Sequence, residues 1–294
     1  MEKETADREV PERMRHLLLH EAGRRWFDSV PTIVSELAAK WALDLGQPFQ
    51  RSSVSYTLPA LRAGQPMVLK IQWPHDECQF EADALQYWNG QGAIRVHAVD
   101  RSRHALLLER CEPGTSLGDA DVTDKLGVVI ALLQQLSVPA TGPFNTLQQE
   151  AEIWRQSLQQ YQPCTGGGVT PQIVVQALRF LDELVDSCGA PVLVHQDLHG
   201  DNILAASRQP WLAIDPKPLL AERDFAVVPV VRSFELGHSR RAVISRLVRL
   251  CEELGVCRER AIKWTVVQTV AWNINVCNYP QHLETVDWLL EELA

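Results

Sequence analysis

The stretch His195-Gln196-Asp197-Leu198-His199-Gly200-Asp201-Asn202, which reads H-x-D-x-x-x-x-N, decides how this chain is understood. It follows the apolar run Val192-Leu193-Val194, and a second apolar run, Trp211-Leu212-Ala213-Ile214, delivers another carboxylate, Asp215. Phosphoryl transfer from a nucleotide needs this set. One carboxylate orients the attacking hydroxyl and accepts its proton; an amide and a second carboxylate hold the Mg²⁺ that neutralises the phosphates. Asp197 is therefore the candidate catalytic residue, and Asn202 and Asp215 are the candidate metal ligands. The competing reading is a loop of solvated polar residues between two strands. The spacing of His, Asp and Asn, followed by a strand and Asp215, weighs against it. His195 is read as a structural residue that fixes the loop, and His199 as a neighbour without an assigned role.

Working upstream, Pro66-Met67-Val68-Leu69-Lys70-Ile71 is a short apolar run with a lysine inside it. A lysine in a strand core needs a partner, because an unpaired buried charge is costly. Phe80, Ala84, Tyr87 and Trp88 recur at helical spacing, which puts Glu81 at the border of a buried face. Glu81 is the expected partner of Lys70, with Glu77 in reserve. His104 to Glu109 reads as a buried strand running into a turn at Pro113-Gly114, so Glu109 to Cys111 form the candidate adenine-binding hinge. Neither a G-x-G-x-x-G loop nor a Walker A sequence is present. Ser52, Ser53 and Ser55 are candidate phosphate contacts through hydroxyls and a nest of N–H groups, and a polar hairpin turn is the alternative. Gly166-Gly167-Gly168 reads as a turn, since no strand precedes it and no lysine follows at P-loop spacing.

Taken in order, Ser53-Val54-Ser55-Tyr56, Leu69-Lys70, Glu81 to Leu85, Leu106 to Gly114, Val194 to Leu204 and Ala213-Ile214-Asp215-Pro216-Lys217-Pro218 resemble the aminoglycoside phosphotransferase family. The likeness is to the branch with streptomycin 6-kinases and hydroxyurea phosphotransferases, and it runs from about Trp26 to about Trp272. The resemblance implies an α+β, two-lobed, protein-kinase-like fold. It places a small β-rich N-lobe in residues 1–110 and a larger, mainly helical C-lobe in residues 111–294. It further implies ATP, or GTP, in the cleft with Mg²⁺, and transfer to a small-molecule hydroxyl, an aminoglycoside such as streptomycin being favoured. By position, Asp197 looks like the base or orienter, Asn202 and Asp215 the metal ligands, Lys70 the phosphate-binding lysine and Glu81 its partner. Two departures stand out: Gln50-Arg51-Ser52 replaces the branch's usual glycines, and Ala221 to Ala226 is shuffled, which leaves Asp224 without a role.

Other acceptors would leave the same trace, hydroxyurea, an amino sugar or another metabolite among them. A nucleotide-binding regulator with little turnover is the reading of another class; the complete set of Lys70, Asp197, Asn202 and Asp215 argues against it. A protein kinase is disfavoured because no Ala-Pro-Glu sequence follows Asp215. The net charge of −9 disfavours nonspecific nucleic-acid binding and would suit a cationic acceptor. Seven cysteines without a C-x-x-C pair read as reduced thiols in the cytoplasm. There is no apolar run long enough to span a membrane, and Met1 to Glu12 lacks the apolar core of a signal peptide. Nothing in the sequence sets the oligomeric state.

The pattern predicts loosely held residues up to about 23, a helix from Trp26 to Leu43, and strands near 53–61, 66–73, 93–99 and 104–110. It then predicts helices over 124–136, capped by Thr123, over 145–161 and over 171–187, and a helical region from about 226 to the end. Trp264, Gln268 and Trp272 share a helix face, with Asn273 and Asn275 nearby. That face is read first as core and second as an acceptor wall. Glu284, Asp287, Glu291 and Glu292 are read first as a solvated face and second as partners of a cationic acceptor.

Overall fold

Side chains on a strand alternate between faces, so Met67, Leu69 and Ile71 must leave Lys70 and Gln72 on the opposite side. In the computed structural model, which describes residues 10–74, 79–162, 168–274 and 280–293, these residues lie on β3 (Gln65–Gln72). Met67, Leu69 and Ile71 join a core with Tyr56 and Leu58 of β2 (Ser55–Arg62) and with Val30, Val34 and Leu37 of α1 (Glu21–Trp41). Each such side chain taken from water contributes about 1.5–3 kcal/mol. With β1 (Asp44–Leu45), β4 (Val96–Asp100) and β5 (Ala105–Glu109), they build an antiparallel sheet ordered β1-β2-β3-β5-β4. The β2–β3 hairpin turns on Ala63 and Gly64, both at positive φ, as a two-residue turn between right-twisted strands requires. A short helix, α2 (Glu81–Trp88), carries Glu81 to Lys70.

The N-terminal segment differs from expectation. α1 begins at Glu21 rather than Trp26, and a 3₁₀ segment over Glu12–Leu19 precedes it, burying Met14 and Leu17. Residues 12–23 are thus held by packing. Two apolar anchors among charged neighbours are too sparse a signal for a periodicity reading. The turn between the two segments needs Gly23, where a Cβ would lie 2.0 Å from the Leu17 carbonyl oxygen.

The chain divides into two compact units, Met1–Gly90 with Ile94–Cys111, and Gln91–Ala93 with Glu112–Ala294. The second unit opens with α3 (Lys125–Leu136), followed by β6 (Val138–Pro139), α4 (Leu147–Gln159), α5 (Pro171–Val185) and β7 (Pro191–Val194). The hairpin of β8 (Ile203–Ala205) and β9 (Trp211–Ala213) comes next, then β10 (Leu219–Glu222), α6 (Val228–Val231), α7 (Arg240–Leu254), α8 (Arg258–Asn273) and α9 (Pro280–Glu291). A small sheet runs in the order β10-β7-β6. Asp124, not Thr123, caps α3: its carboxylate accepts from the Gly127 N–H at 2.9 Å, and Arg249 holds it there. α4 and α5 start on Thr146 and Thr170, whose hydroxyls accept from the third helical N–H. The Gly166-Gly167 turn, Glu77 and Asn275 lie outside the described residues.

α8 is buried nearly all round and packs against α4, α5, α6, α7 and α9. Glu222, 2% exposed, ties it to the small sheet. Its carboxylate accepts from the Gly189 N–H at 2.8 Å, from the Arg260 guanidinium and from the Trp264 indole N–H. Replacing Glu222 by Leu strands the buried Trp264 indole N–H and takes the main carboxylate from the part-exposed Arg260 guanidinium. The expected loss of stability is about 1–3 kcal/mol, read as a lower urea midpoint at unchanged slope; a midpoint within the error of wild type would mean the network is slack.

Candidate active site

In the first unit, the Lys70 ammonium sits 2.8 Å from both carboxylate oxygens of Glu81, and both residues are buried. The Gln72 amide donates to Glu81 Oε2 at 2.5 Å, so the carboxylate is held by two side chains from one face of β3. A buried ion pair persists only when its remaining polar atoms are satisfied, and Gln72 supplies that here. Of the serines, Ser53 is exposed, whereas Ser52 and Ser55 both bring their hydroxyls to within 3.2 Å of the Thr57 hydroxyl. Ser55 is itself buried at the start of β2. Along the hinge segment, the Glu109 N–H is already used by the Arg95 carbonyl, and the Glu109 carboxylate accepts from the Arg95 N–H, both at 2.9 Å. Cys111 is buried.

In the second unit, β7 runs into the loop 195–202 and β8 leaves it. Three backbone bonds set its shape: Asp197 N–H and Lys217 N–H both donate to the His195 carbonyl, and Ile214 N–H donates to the Asn202 carbonyl. The last of these extends the β8–β9 ladder by one step and brings Asn202 beside the chain that leads to Asp215. The Asn202 amide nitrogen donates to the Asp197 carbonyl at 2.9 Å, which leaves its oxygen as the atom fit to hold a cation. Asp215 is exposed, with φ +53, and Gln196 beside Asp197 has φ +61. Non-glycine residues in the left-handed region cost about 1–3 kcal/mol each, and such strain gathers at functional sites.

Two basic side chains lie close to the Asp197 carboxylate. Lys217 Nζ lies 3.6 Å from Asp197 Oδ2, and His199 Nε2 lies 4.0 Å from Oδ1. Burial alone would lower the His199 imidazole, but the Glu235 carboxylate at 3.5 Å and the charges of Asp197 and Asp201 raise it overall. The same contact holds Glu235 below its ordinary value, and Glu235 also accepts from the Gly200 N–H at 2.8 Å. On the far side of Lys217 stands the Trp272 indole: Lys217 Nζ is 5.6 Å from its ring centre and the Arg232 guanidinium 4.3 Å. Arg232 is 8% exposed, and among the described residues its guanidinium makes no hydrogen bond or ion pair. Burial pushes it down to about 10, so it stays charged at neutral pH.

His195 is 2% exposed and donates from Nε2 to the Ile214 carbonyl at 2.9 Å, which joins the two ends of the site as the sequence reading expected of a structural residue. Burial pushes its imidazole down to about 4. Below pH 6.5 the unfolded chain therefore binds a proton that the fold refuses, and stability falls as the pH falls toward 4. The expected slope from this one group is about 1.4 kcal/mol per pH unit, roughly 3 kcal/mol over the window. Urea unfolding of wild type and His195→Asn from pH 7.5 to 4.5 should show wild type losing stability faster with acid; parallel curves would contradict this.

Several sequence-level candidates take other roles. Trp264 is wholly buried, edge-on to Phe225 at 5.5 Å, and belongs to the core. Gln268 is buried one turn on, and only Trp272 of the three meets the charges beside Asp197. Glu284 pairs with His238 at 2.7 Å, and Glu291 and Glu292 pair with Arg240. Asp224 accepts from the Cys257 N–H at the start of α8. Glu235 and Arg232 escaped the sequence reading: Glu235 contacts a loop 35 residues earlier, and Arg232 ends an apolar run that reads as core. Among the described residues no cluster of three or more His, Cys, Asp or Glu is arranged for a metal, and no helix is long and apolar enough to cross a membrane.

The fold is protein-kinase-like, a small β-sheet unit and a mainly helical unit that carries the H-x-D-x-x-x-x-N loop. It matches a crystal structure of a thermostable mutant of aminoglycoside phosphotransferase APH(4)-Ia, solved with ADP and hygromycin B, at TM-score 0.62 and 14% identity, covering 87% of this chain and 96% of that one. Residues 40–276 match the aminoglycoside/hydroxyurea antibiotic resistance kinase family, and the chain belongs to that family. It is 31% identical to a streptomycin 6-kinase of Streptomyces griseus over 86% of each chain. To a hydroxyurea phosphotransferase of Kitasatospora aureofaciens it is 32% identical, over 86% of this chain and 76% of the relative. The protein is an ATP-dependent phosphotransferase acting on small molecules.

Proposed function

We propose that this enzyme transfers the γ-phosphoryl group of ATP, with Mg²⁺, to a hydroxyl of a small molecule, an aminoglycoside such as streptomycin being the favoured acceptor. The observation that carries the reading is the arrangement of Asp197, Asn202 and Lys217 on one backbone-braced loop system, with exposed Asp215 one ladder step from Asn202. Hydroxyurea is the second acceptor to test, since a relative of that name is as similar as the streptomycin kinases.

The residues suit Mg²⁺. This ion keeps several waters and is held by one or two protein groups plus substrate phosphates, so one carboxylate and one amide oxygen suffice. Asn202 and Asp215 would hold it, and its charge neutralises the phosphates as they react. Asp197 orients the acceptor hydroxyl and takes its proton. Lys70, locked by Glu81, binds the α- and β-phosphates; backbone groups of the segment ending at Cys111 receive the base, and Ser53 and Ser55 stand as phosphate contacts. The cytoplasm, where ATP is made, is the compartment this reading assigns.

The test is Mg²⁺-ATP and Mg²⁺-GTP consumption by the purified protein with streptomycin, other aminoglycosides and hydroxyurea in turn. Acceptor-dependent phosphate transfer supports the reading. Nucleotide binding without transfer to any of them would replace it with a regulatory role.

A further inference from the structure

We propose that Glu235 is a positioning residue of the transfer: its carboxylate fixes the imidazole of His199 along one flank of Asp197, and so holds the Asp197 carboxylate in the orientation that receives the acceptor hydroxyl. The assignment rests on the phosphotransferase reading above and adds to it a residue that the H-x-D-x-x-x-x-N pattern does not contain.

The ends of the loop are tied by backbone bonds, Asp197 N–H to the His195 carbonyl at one end and Ile214 N–H to the Asn202 carbonyl at the other. Between them the His199 ring is part-exposed and can turn about χ1 and χ2. Glu235 supplies the brace from a 3₁₀ turn, Phe234–Leu236. Its Oε2 accepts from the Gly200 N–H at 2.8 Å, and its Oε1 lies 3.5 Å from His199 Nδ1. The approach is close enough to require glycine at position 200, where a Cβ would lie 2.6 Å from Glu235 Oε2. On the other side of that peptide, the Gly200 carbonyl accepts from the Gly118 N–H at 3.2 Å. The carboxylate thus meets a stretch of loop whose backbone is pinned on both sides.

The seat calls for a carboxylate. One donor converges on each oxygen, and only a carboxylate accepts on both; an amide of the same size presents its NH₂ to one of them. The His199 contact, with the Gly200 N–H and the Lys125 charge adding to it, holds Glu235 below its ordinary value, so it is ionised at neutral pH.

With Nδ1 turned to Glu235, His199 directs Nε2 toward Asp197, 4.0 Å from Oδ1. That is too long for a direct hydrogen bond, and it makes the ring a wall on the Oδ1 side. Lys217 and the Asn202 amide stand on the Oδ2 side, at 3.6 and 3.5 Å. The Asp197 carboxylate is bracketed from both directions, and losing Glu235 frees one of the two. A reacting group displaced by about an ångström loses up to about 10²-fold in rate. Glu235 and His199 form and break no bond in the step. The acceptor oxygen bonds to the γ-phosphorus, ADP departs with the electron pair of the bridging bond, and the hydroxyl proton passes to Asp197.

The test is a double-mutant cycle of Glu235→Gln and His199→Asn, read as kcat, both KM values and the urea midpoint. Glu235→Gln should lower kcat about 10–100-fold, with both KM values within about threefold and a urea midpoint close to wild type. His199→Asn should show a similar fall, and the double variant should lie within about twofold of His199→Asn, because the two residues act as one unit. Four results overturn the assignment and leave the function standing: kcat of Glu235→Gln within about threefold of wild type, a loss confined to the acceptor KM, losses that multiply in full in the double variant, or a urea midpoint that falls together with kcat. Wild type that transfers phosphate to none of the acceptors overturns the function, and this assignment with it.

Discussion

Asp197→Ala should lower kcat by about 10³–10⁴-fold while leaving the MgATP dissociation constant within about threefold of wild type. The split follows from where Asp197 sits. Its carboxylate is part-exposed and meets Lys217 and His199, and its backbone carbonyl, which the substitution keeps, accepts the Asn202 amide. The braces on the loop, Asp197 N–H and Lys217 N–H to the His195 carbonyl, are also backbone bonds and survive. What disappears is the proposed acceptor of the hydroxyl proton. Single-turnover kinetics with direct nucleotide binding separate the two effects. Turnover within tenfold of wild type would remove Asp197 from the chemistry and, with it, the reading of the loop.

Asp215→Ala should weaken nucleotide binding only when Mg²⁺ is present. Asp215 is exposed at the end of the β8–β9 hairpin and supplies the one carboxylate of the proposed metal site. Removing it leaves the Asn202 oxygen and the phosphates to hold a hard cation that prefers anionic oxygen. The expected loss is about 10–100-fold in MgATP affinity, with a larger fall in turnover. In EDTA, wild type and variant should bind ATP alike. An equal loss with and without Mg²⁺ would assign Asp215 to the nucleotide or to folding instead of to the metal.

The shape of the H-x-D-x-x-x-x-N loop and the placing of Lys70 were legible in the sequence because they are written locally. H-x-D-x-x-x-x-N lies within eight consecutive residues, and strand parity alone puts Lys70 opposite Leu69 and Ile71. Helical spacing placed Glu81 at the edge of a buried face eleven residues on, and the buried pair with Lys70 is what the structure contains. The helix boundaries came within a few residues, except at the N-terminus, where packing of Met14 and Leu17 orders a segment whose composition reads as solvated.

What lies further apart along the chain was silent. Glu222 with Arg260 and Trp264, Glu235 with Gly200, and Arg232 with Trp272 are each separated by some 35–42 residues. Periodicity states that a side chain faces inward and says nothing about what it will meet there. Trp264, Gln268 and Trp272 make the point on one helix face. The sequence by itself determined that they share a face. The tertiary structure decided that Trp264 caps a buried glutamate while Trp272, two turns on, meets Lys217 and Arg232 beside Asp197. Local chain geometry fixes direction, whereas partners are chosen by the packing of elements brought together only when the whole core closes.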